Sequence, residues 1–154
     1  MKLRYNNISF ILDDKIVEID FNRSNDLKPT TTVLNYLRNL TTHKGVKEGC
    51  AEGDCGACTV VLGELKDSKI KYQCWDSCLV FLPMIHGKQL ITVENVGSSD
   101  NLHPVQKAMV DTDGSQCGYC TPGFIMALFE LYKNSNNPDR EEINDALTGN
   151  LCRC

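Results

Sequence analysis

Eight of the nine cysteines in this 154-residue chain fall into two sets with different spacings. The first reads C-x4-C-x2-C across Cys50, Cys55 and Cys58, followed by Cys74 and Cys78, of which one completes the set. The second reads C-x2-C-x31-C-x-C across Cys117, Cys120, Cys152 and Cys154. Four thiolates around two irons complete a [2Fe-2S] centre, and the first spacing is one that holds such a centre. The competing use is a structural zinc site, which also takes four cysteines but more often pairs two short C-x2-4-C knuckles. The C-x4-C-x2-C loop therefore favours iron. No Ser-His-Asp set and no phosphate-binding loop accompanies the cysteines. Two one-electron centres with no other catalytic group describe an electron wire.

In the first loop, three thiolates come from nine consecutive residues and must wrap one small inorganic core. Tight backbone turns are needed, and Gly49, Gly53 and Gly56 can supply them by adopting positive φ. Backbone N–H groups can also approach sulfur there, and hydrogen bonding at sulfur tunes the potential. Glu48, Glu52 and Asp54 keep the loop solvated. Cys74 and Cys78 both follow a strand, and the one not used is a small buried hydrophobe. The second set has its own logic. Cys117 and Cys120 precede Thr121-Pro122, which reads as an N-cap with proline at the first helical position. Cys152 and Cys154 follow Asn150, another candidate N-cap. Two helix N-termini facing an anionic centre would favour it electrostatically. His43, His86 and His103 have no partner at metal-site spacing; His86 beside Gly87 reads as a turn residue, and Trp75 as packing.

The elements that must position these loops differ along the chain. Ile8, Phe10 and Leu12, then Val17, Ile19 and Phe21, alternate with polar residues around Asp13-Asp14-Lys15, which predicts an antiparallel hairpin. Thr30 to Thr32 can cap a helix over 33–40, with Val33, Leu34, Leu37 and Leu40 on one face. Further strands are predicted over 59–62, 70–73 and 89–93. A hairpin, a helix, a metal loop and returning strands suggest a β-grasp ferredoxin domain over 1–96. Gly97 to Asn101 reads as a linker. Residues 97–154 then read as helical: one helix opens at Pro104, one runs from Pro122 to about Asn134, and one runs to Leu147 behind an Asp139/Glu142 capping box. Gly149 ends the last of these. The second helix is apolar almost all round, so it belongs at the centre of a bundle or against a partner.

Composition bounds the function. Hydrophobic residues make up 42% of the chain and net charge is -4, with no basic run to bind nucleic acid. No apolar run approaches the roughly 20 residues that span a bilayer, and the N-terminus carries no secretory h-region. Those features predict a cytoplasmic protein without a membrane partner, where cysteines stay reduced and favour metal over disulfides.

The segment Gly114-Ser115-Gln116-Cys117-Gly118-Tyr119-Cys120-Thr121-Pro122-Gly123, with Gly149-Asn150-Leu151-Cys152-Arg153-Cys154, resembles the molybdenum hydroxylases. These include xanthine dehydrogenase, aldehyde oxidase and carbon monoxide dehydrogenase. The loop from Cys50 to Val60 fits the same family, and the resemblance runs from about residue 5 to the last residue. His103-Pro104-Val105-Gln106 with Gly114-Ser115-Gln116 is most similar to xanthine dehydrogenase. The resemblance implies an α+β iron–sulfur subunit or region: a β-grasp ferredoxin domain, then an all-α four-helix bundle, each with one [2Fe-2S] cluster. It implies Cys78, by the Cys78-Leu79 match, as the fourth ligand beside Cys50, Cys55 and Cys58. Cys117, Cys120, Cys152 and Cys154 would hold the second cluster, with Gln116 and Cys154 beside molybdopterin. Substrate chemistry would sit on a molybdopterin-binding large subunit or domain. Electrons would then pass through the helical centre and the β-grasp centre to FAD on another domain or subunit. Xanthine or hypoxanthine is the substrate so implied, with aldehyde, nicotinate or carbon monoxide oxidation as alternatives. A free-standing ferredoxin and a zinc-bound interaction module are the remaining readings. The resemblance also implies that the natural polypeptide continues beyond Cys154 with residues that complete a helix opened at Asn150, and often into an FAD domain.

Overall fold

The computed structural model describes residues 6–153; Cys154 lies outside them. A mixed five-stranded sheet forms from β1 (Asn7–Leu12), β2 (Lys15–Asp20), β3 (Thr59–Lys66), β4 (Lys69–Asp76) and β5 (Gln89–Ile91). Four helices accompany it: α1 (Val33–Asn39), α2 (Pro104–Asp111), α3 (Thr121–Asn134) and α4 (Arg140–Leu147). The strand order is β2-β1-β5-β3-β4. Only the β1–β5 pair is parallel; the others are antiparallel.

Strand parity builds two cores from one sheet. Phe10, Leu12, Val60, Leu62 and Leu90 point to the face covered by α1, where they pack with Val33, Leu34 and Leu37. Val61 and Ile91 point to the opposite face and meet Met126 and Phe129 of α3. Met126 is 1% exposed and Phe129 5%, so α3 is seated against the sheet as well as against α2 and α4. Its nearly all-apolar sequence is used on several sides at once. Trp75 packs against the α1-side core, as its size predicts.

Several predicted boundaries shift. β3 and β4 run four and three residues beyond 59–62 and 70–73 at the hairpin tip and cluster end respectively, because register pairing continues to Lys66↔Lys69 and Thr59↔Asp76. β5 stops at Ile91, and Val93 enters a 3-10 turn. Thr121 does not cap α3. Cys120 occupies that position without a side-chain cap, and the Thr121 hydroxyl instead pairs with Ser115 Oγ at 2.7 Å. Three helices of the anticipated bundle lie among the described residues. Asn150 opens no helix over 151–153; its side chain reaches into the first cysteine loop.

All three histidines have structural partners that spacing alone does not reveal. His86 Nδ1 accepts from the Ser9 amide at 3.0 Å. His43 Nε2 lies 2.9 Å from the Asp13 carboxylate. His103 caps α2 through Nδ1, while Gln106 Oε1 accepts from the His103 amide at 3.0 Å. Burial of the His103 ring, with the nearby Lys133 charge, lowers its pKa from the ordinary 6.5 and favours the neutral ring that capping needs.

Candidate metal centres

The first cysteine loop joins α1 to β3, and the hairpin register determines what returns to it. Thr59 pairs with Asp76, so Cys58 just before β3 and Cys78 just after β4 emerge at one end of the hairpin. Ser77 fastens this end: its Oγ donates to the Cys58 carbonyl at 2.7 Å. The Cys58 and Cys78 thiols are neighbours, 2% and 8% exposed. Burial, with Cys78 and Asp76 alongside, pushes the Cys58 thiol up to about 12. Metal ligation needs the thiolate, so binding here is coupled to proton release.

Cys50 has the opposite environment. Its sulfur accepts from the backbone amides of Glu52 and Asp54, each at 3.4 Å. Those two amides, followed by the adjacent Cys55 thiol, lower it to about 7. The backbone makes this nest through positive φ at Ala51, Gly53 and Gly56. Gly49, expected to share that conformation, does not; there the requirement is space, since a Cβ would sit 2.8 Å from Cys55 Sγ. The first set is thus two thiol pairs, Cys50 with Cys55 and Cys58 with Cys78. Two pairs suit a binuclear centre with two thiolates on each iron.

Cys74 belongs elsewhere. It pairs across the sheet with Val61 and shares that residue's α3-facing side. Its thiol donates to the Met126 carbonyl at 3.7 Å.

The three described cysteines of the second set, Cys117, Cys120 and Cys152, gather at the N-terminus of α3. Gly118, at φ 81°, turns the chain between Cys117 and Cys120. The Cys120 thiol neighbours Cys152 and lies near Cys117; burial first, then Cys152, pushes it up to about 11. Gln116 is exposed on the approach to Cys117. Among the described residues, no three His, Cys, Asp or Glu side chains converge as they would around a single ion.

The two sets are stitched together by contacts that spacing does not disclose. Leu151 N donates to the Cys55 carbonyl at 3.0 Å. Asn150 Nδ2 donates to the Gly56 carbonyl at 3.1 Å and to Thr59 Oγ1 at 3.3 Å. The Tyr119 hydroxyl donates to the Glu48 carbonyl. A cavity of about 150 Å³ lies along this seam, with Cys55, Cys117, Cys120 and Arg153 among its walls. One signal for the seam was present in the sequence: Gly123 stands in the first turn of a helix, where glycine costs about 1 kcal/mol relative to alanine unless close approach requires it.

Comparison with known proteins finds an iron–sulfur domain over each half of the chain. A family model described as a 2Fe-2S iron-sulfur cluster binding domain matches residues 19–82, and one described as a [2Fe-2S] binding domain matches residues 92–154. The chain is 46% identical over 137 residues to a probable aldehyde oxidase from Caenorhabditis elegans, covering 88% of this chain and 11% of that protein. It is 46% identical over 129 residues to xanthine dehydrogenase from Blastobotrys adeninivorans, covering 82% of this chain and 9% of that one. The chain thus spans about a tenth of the length of these relatives. Among solved structures, aldehyde oxidoreductase from Desulfovibrio gigas superposes with a TM-score of 0.79 at 32% identity, over 96% of this chain and 15% of that one. Quinoline 2-oxidoreductase from Pseudomonas putida 86 superposes with a TM-score of 0.72 at 28% identity, over 96% of this chain and 83% of that one. With two iron–sulfur domain matches, these relatives and two cysteine sets meeting at one seam, this chain belongs to the molybdenum hydroxylase family, of which it carries the [2Fe-2S] region.

Proposed function

We propose that this chain is the electron-transfer part of a xanthine dehydrogenase, passing electrons from a molybdopterin centre on a large partner subunit or domain to FAD on another. The observation that carries this reading is the junction of two differently built cysteine sets: a loop nest and a helix N-terminus, joined by backbone hydrogen bonds. When bound, two [2Fe-2S] clusters supply one-electron redox capacity there. Cys50, Cys55, Cys58 and Cys78 hold the first, within a β-grasp domain over 1–96. Cys117, Cys120, Cys152 and Cys154 hold the second, within a helical domain over 97–154. The chain's own residues fix these ligands, direct amides at Cys50 and exclude water at Cys58. The segment His103 to Gln106 supports the xanthine assignment, and the aldehyde oxidase relative supports aldehyde oxidation as the second reading. A cytoplasmic location suits two thiolate sets, since thiols stay reduced there.

Electron paramagnetic resonance of the dithionite-reduced protein tests the two-centre assignment. Two overlapping [2Fe-2S] signals are expected, because one set sits in an amide nest and the other at a helix terminus. A single signal, with iron for one cluster, rejects it.

Gln116 and Cys154 are assigned to the molybdopterin side. Gln116 is exposed next to a ligand, and its amide is not required by iron. Gln116→Ala is expected to retain the iron of both clusters while weakening molybdopterin retention in the complex. Unchanged cofactor content and turnover would reject that contact.

A further inference from the structure

We propose that Gly123 and Asn150 are spacing residues, which set how closely the two cysteine sets approach and thereby how fast an electron crosses between them. This rests on the two-centre reading and adds to it a role for residues that ligate nothing.

Gly123 lies where backbone meets backbone. A Cβ at this position would lie 2.1 Å from the Gly56 carbonyl oxygen and 3.1 Å from the Gly56 carbonyl carbon. Both obstacles are backbone, so no side-chain rotation can relieve them. Nor can α3 slide away freely, because Met126 and Phe129 anchor it against the sheet. Gly56 faces Gly123 under the same constraint. Its φ is +68°, and a Cβ there would meet Asn150 Nδ2 at 2.3 Å and the Gly149 carbonyl at 2.5 Å. Two glycines from different loops therefore allow backbone to approach backbone.

Asn150 bridges what remains. Thr59 Oγ1 donates to the Gly56 carbonyl at 2.7 Å, and Asn150 donates to both oxygens. The bridge holds Leu151 so that its amide meets the Cys55 carbonyl, one residue before Cys152. Cys55 of one set and Cys152 of the other are thereby held on either side of a single hydrogen bond. Two bound clusters would supply one-electron exchange across this seam, with no bond or proton moving. Spacing is then a quantity the protein controls alongside the amides at Cys50, and the backbone overlap created by Gly123→Ala is relieved by moving the two loops apart.

The holoprotein carrying Gly123→Ala or Asn150→Ala tests this, with Gly149→Ala as control, since a Cβ at Gly149 meets nothing within 4 Å. Fully reduced samples are compared by electron paramagnetic resonance for spin–spin splitting between the centres. Intramolecular electron transfer is followed after rapid partial reduction. Both variants are expected to keep the iron and the midpoint potentials of both centres, to lose splitting and to transfer more slowly. Gly149→Ala should match the parent. Unchanged splitting and rate in both variants overturn the proposal. So does loss of a cluster in both, which would make the residues structural supports of ligation. A parent protein with one cluster would reject the two-centre reading itself, and is distinguished by its iron content.

Discussion

Cys78→Ser is expected to remove the first iron–sulfur centre and spare the second, whereas Cys74→Ser is expected to spare both. The two cysteines are only four residues apart, yet strand geometry separates them. Cys74 lies within β4, where side chains alternate between faces. Its cross-strand partner is Val61, which packs under α3, and its thiol turns to the Met126 carbonyl. To join the first set it would have to pass through the sheet. Cys78 lies beyond the end of the strand, beside Cys58, in the turn that Ser77 fastens to the Cys58 carbonyl. Serine at 78 withdraws one of four thiolates from a site where Cys58 and residue 78 are both buried. Iron content should fall to that of one cluster, and the surviving signal should belong to the helical set. Serine at 74 exchanges a thiol for a hydroxyl that can still donate to Met126. Loss of the first centre from Cys74→Ser, with retention in Cys78→Ser, would reassign the ligand.

The same pair shows how far sequence reaches. Alternation along β4 was readable, since Tyr72 and Cys74 share parity, but which face α3 would cover was not. Periodicity located the β1–β2 hairpin, α1 and α3 because each is a local pattern. The parallel β1–β5 pair brings Ile11 beside Gln89 across a separation of about half the chain's length, and no local signal encodes that. The start of α3 moved because Ser115, six residues upstream, captures the Thr121 hydroxyl that a cap would use. The cysteine spacings were legible because thiolates on one loop must satisfy one centre. The seam was not, because Asn150 finds Gly56 across 94 residues.

Asp13 is the other residue whose weight spacing concealed. Read as part of a hairpin turn, it suggests a solvated carboxylate; in the fold it is 7% exposed, at φ 57°. Its carboxylate accepts from Thr92 N at 2.8 Å and Thr92 Oγ1 at 3.1 Å, and faces His43 Nε2 at 2.9 Å. Its backbone is engaged as well, with its amide on the Leu90 carbonyl and its carbonyl accepting from Gln89. One turn residue thereby ties the β1–β2 hairpin to β5 and to the segment that leads from α1 into the first cysteine loop. Asp13→Ala removes the hydrogen-bond partner of His43 Nε2 and leaves the buried Thr92 amide without an acceptor. Leaving that buried donor unsatisfied costs about 1–3 kcal/mol, and the left-handed backbone adds a penalty for alanine of roughly 1 kcal/mol. Asp13→Asn should cost less, since asparagine tolerates that φ and keeps an oxygen for Thr92. Denaturant unfolding of the three proteins decides the matter. The expected order is parent, then Asn, then Ala. Near-equal midpoints for parent and alanine would show that the network contributes little, whereas equal losses for Asn and Ala would place its strength in the carboxylate rather than in the oxygen that Asn retains. A double-mutant cycle with His43→Ala separates these terms, because a coupled pair leaves the second substitution with a smaller effect than the first.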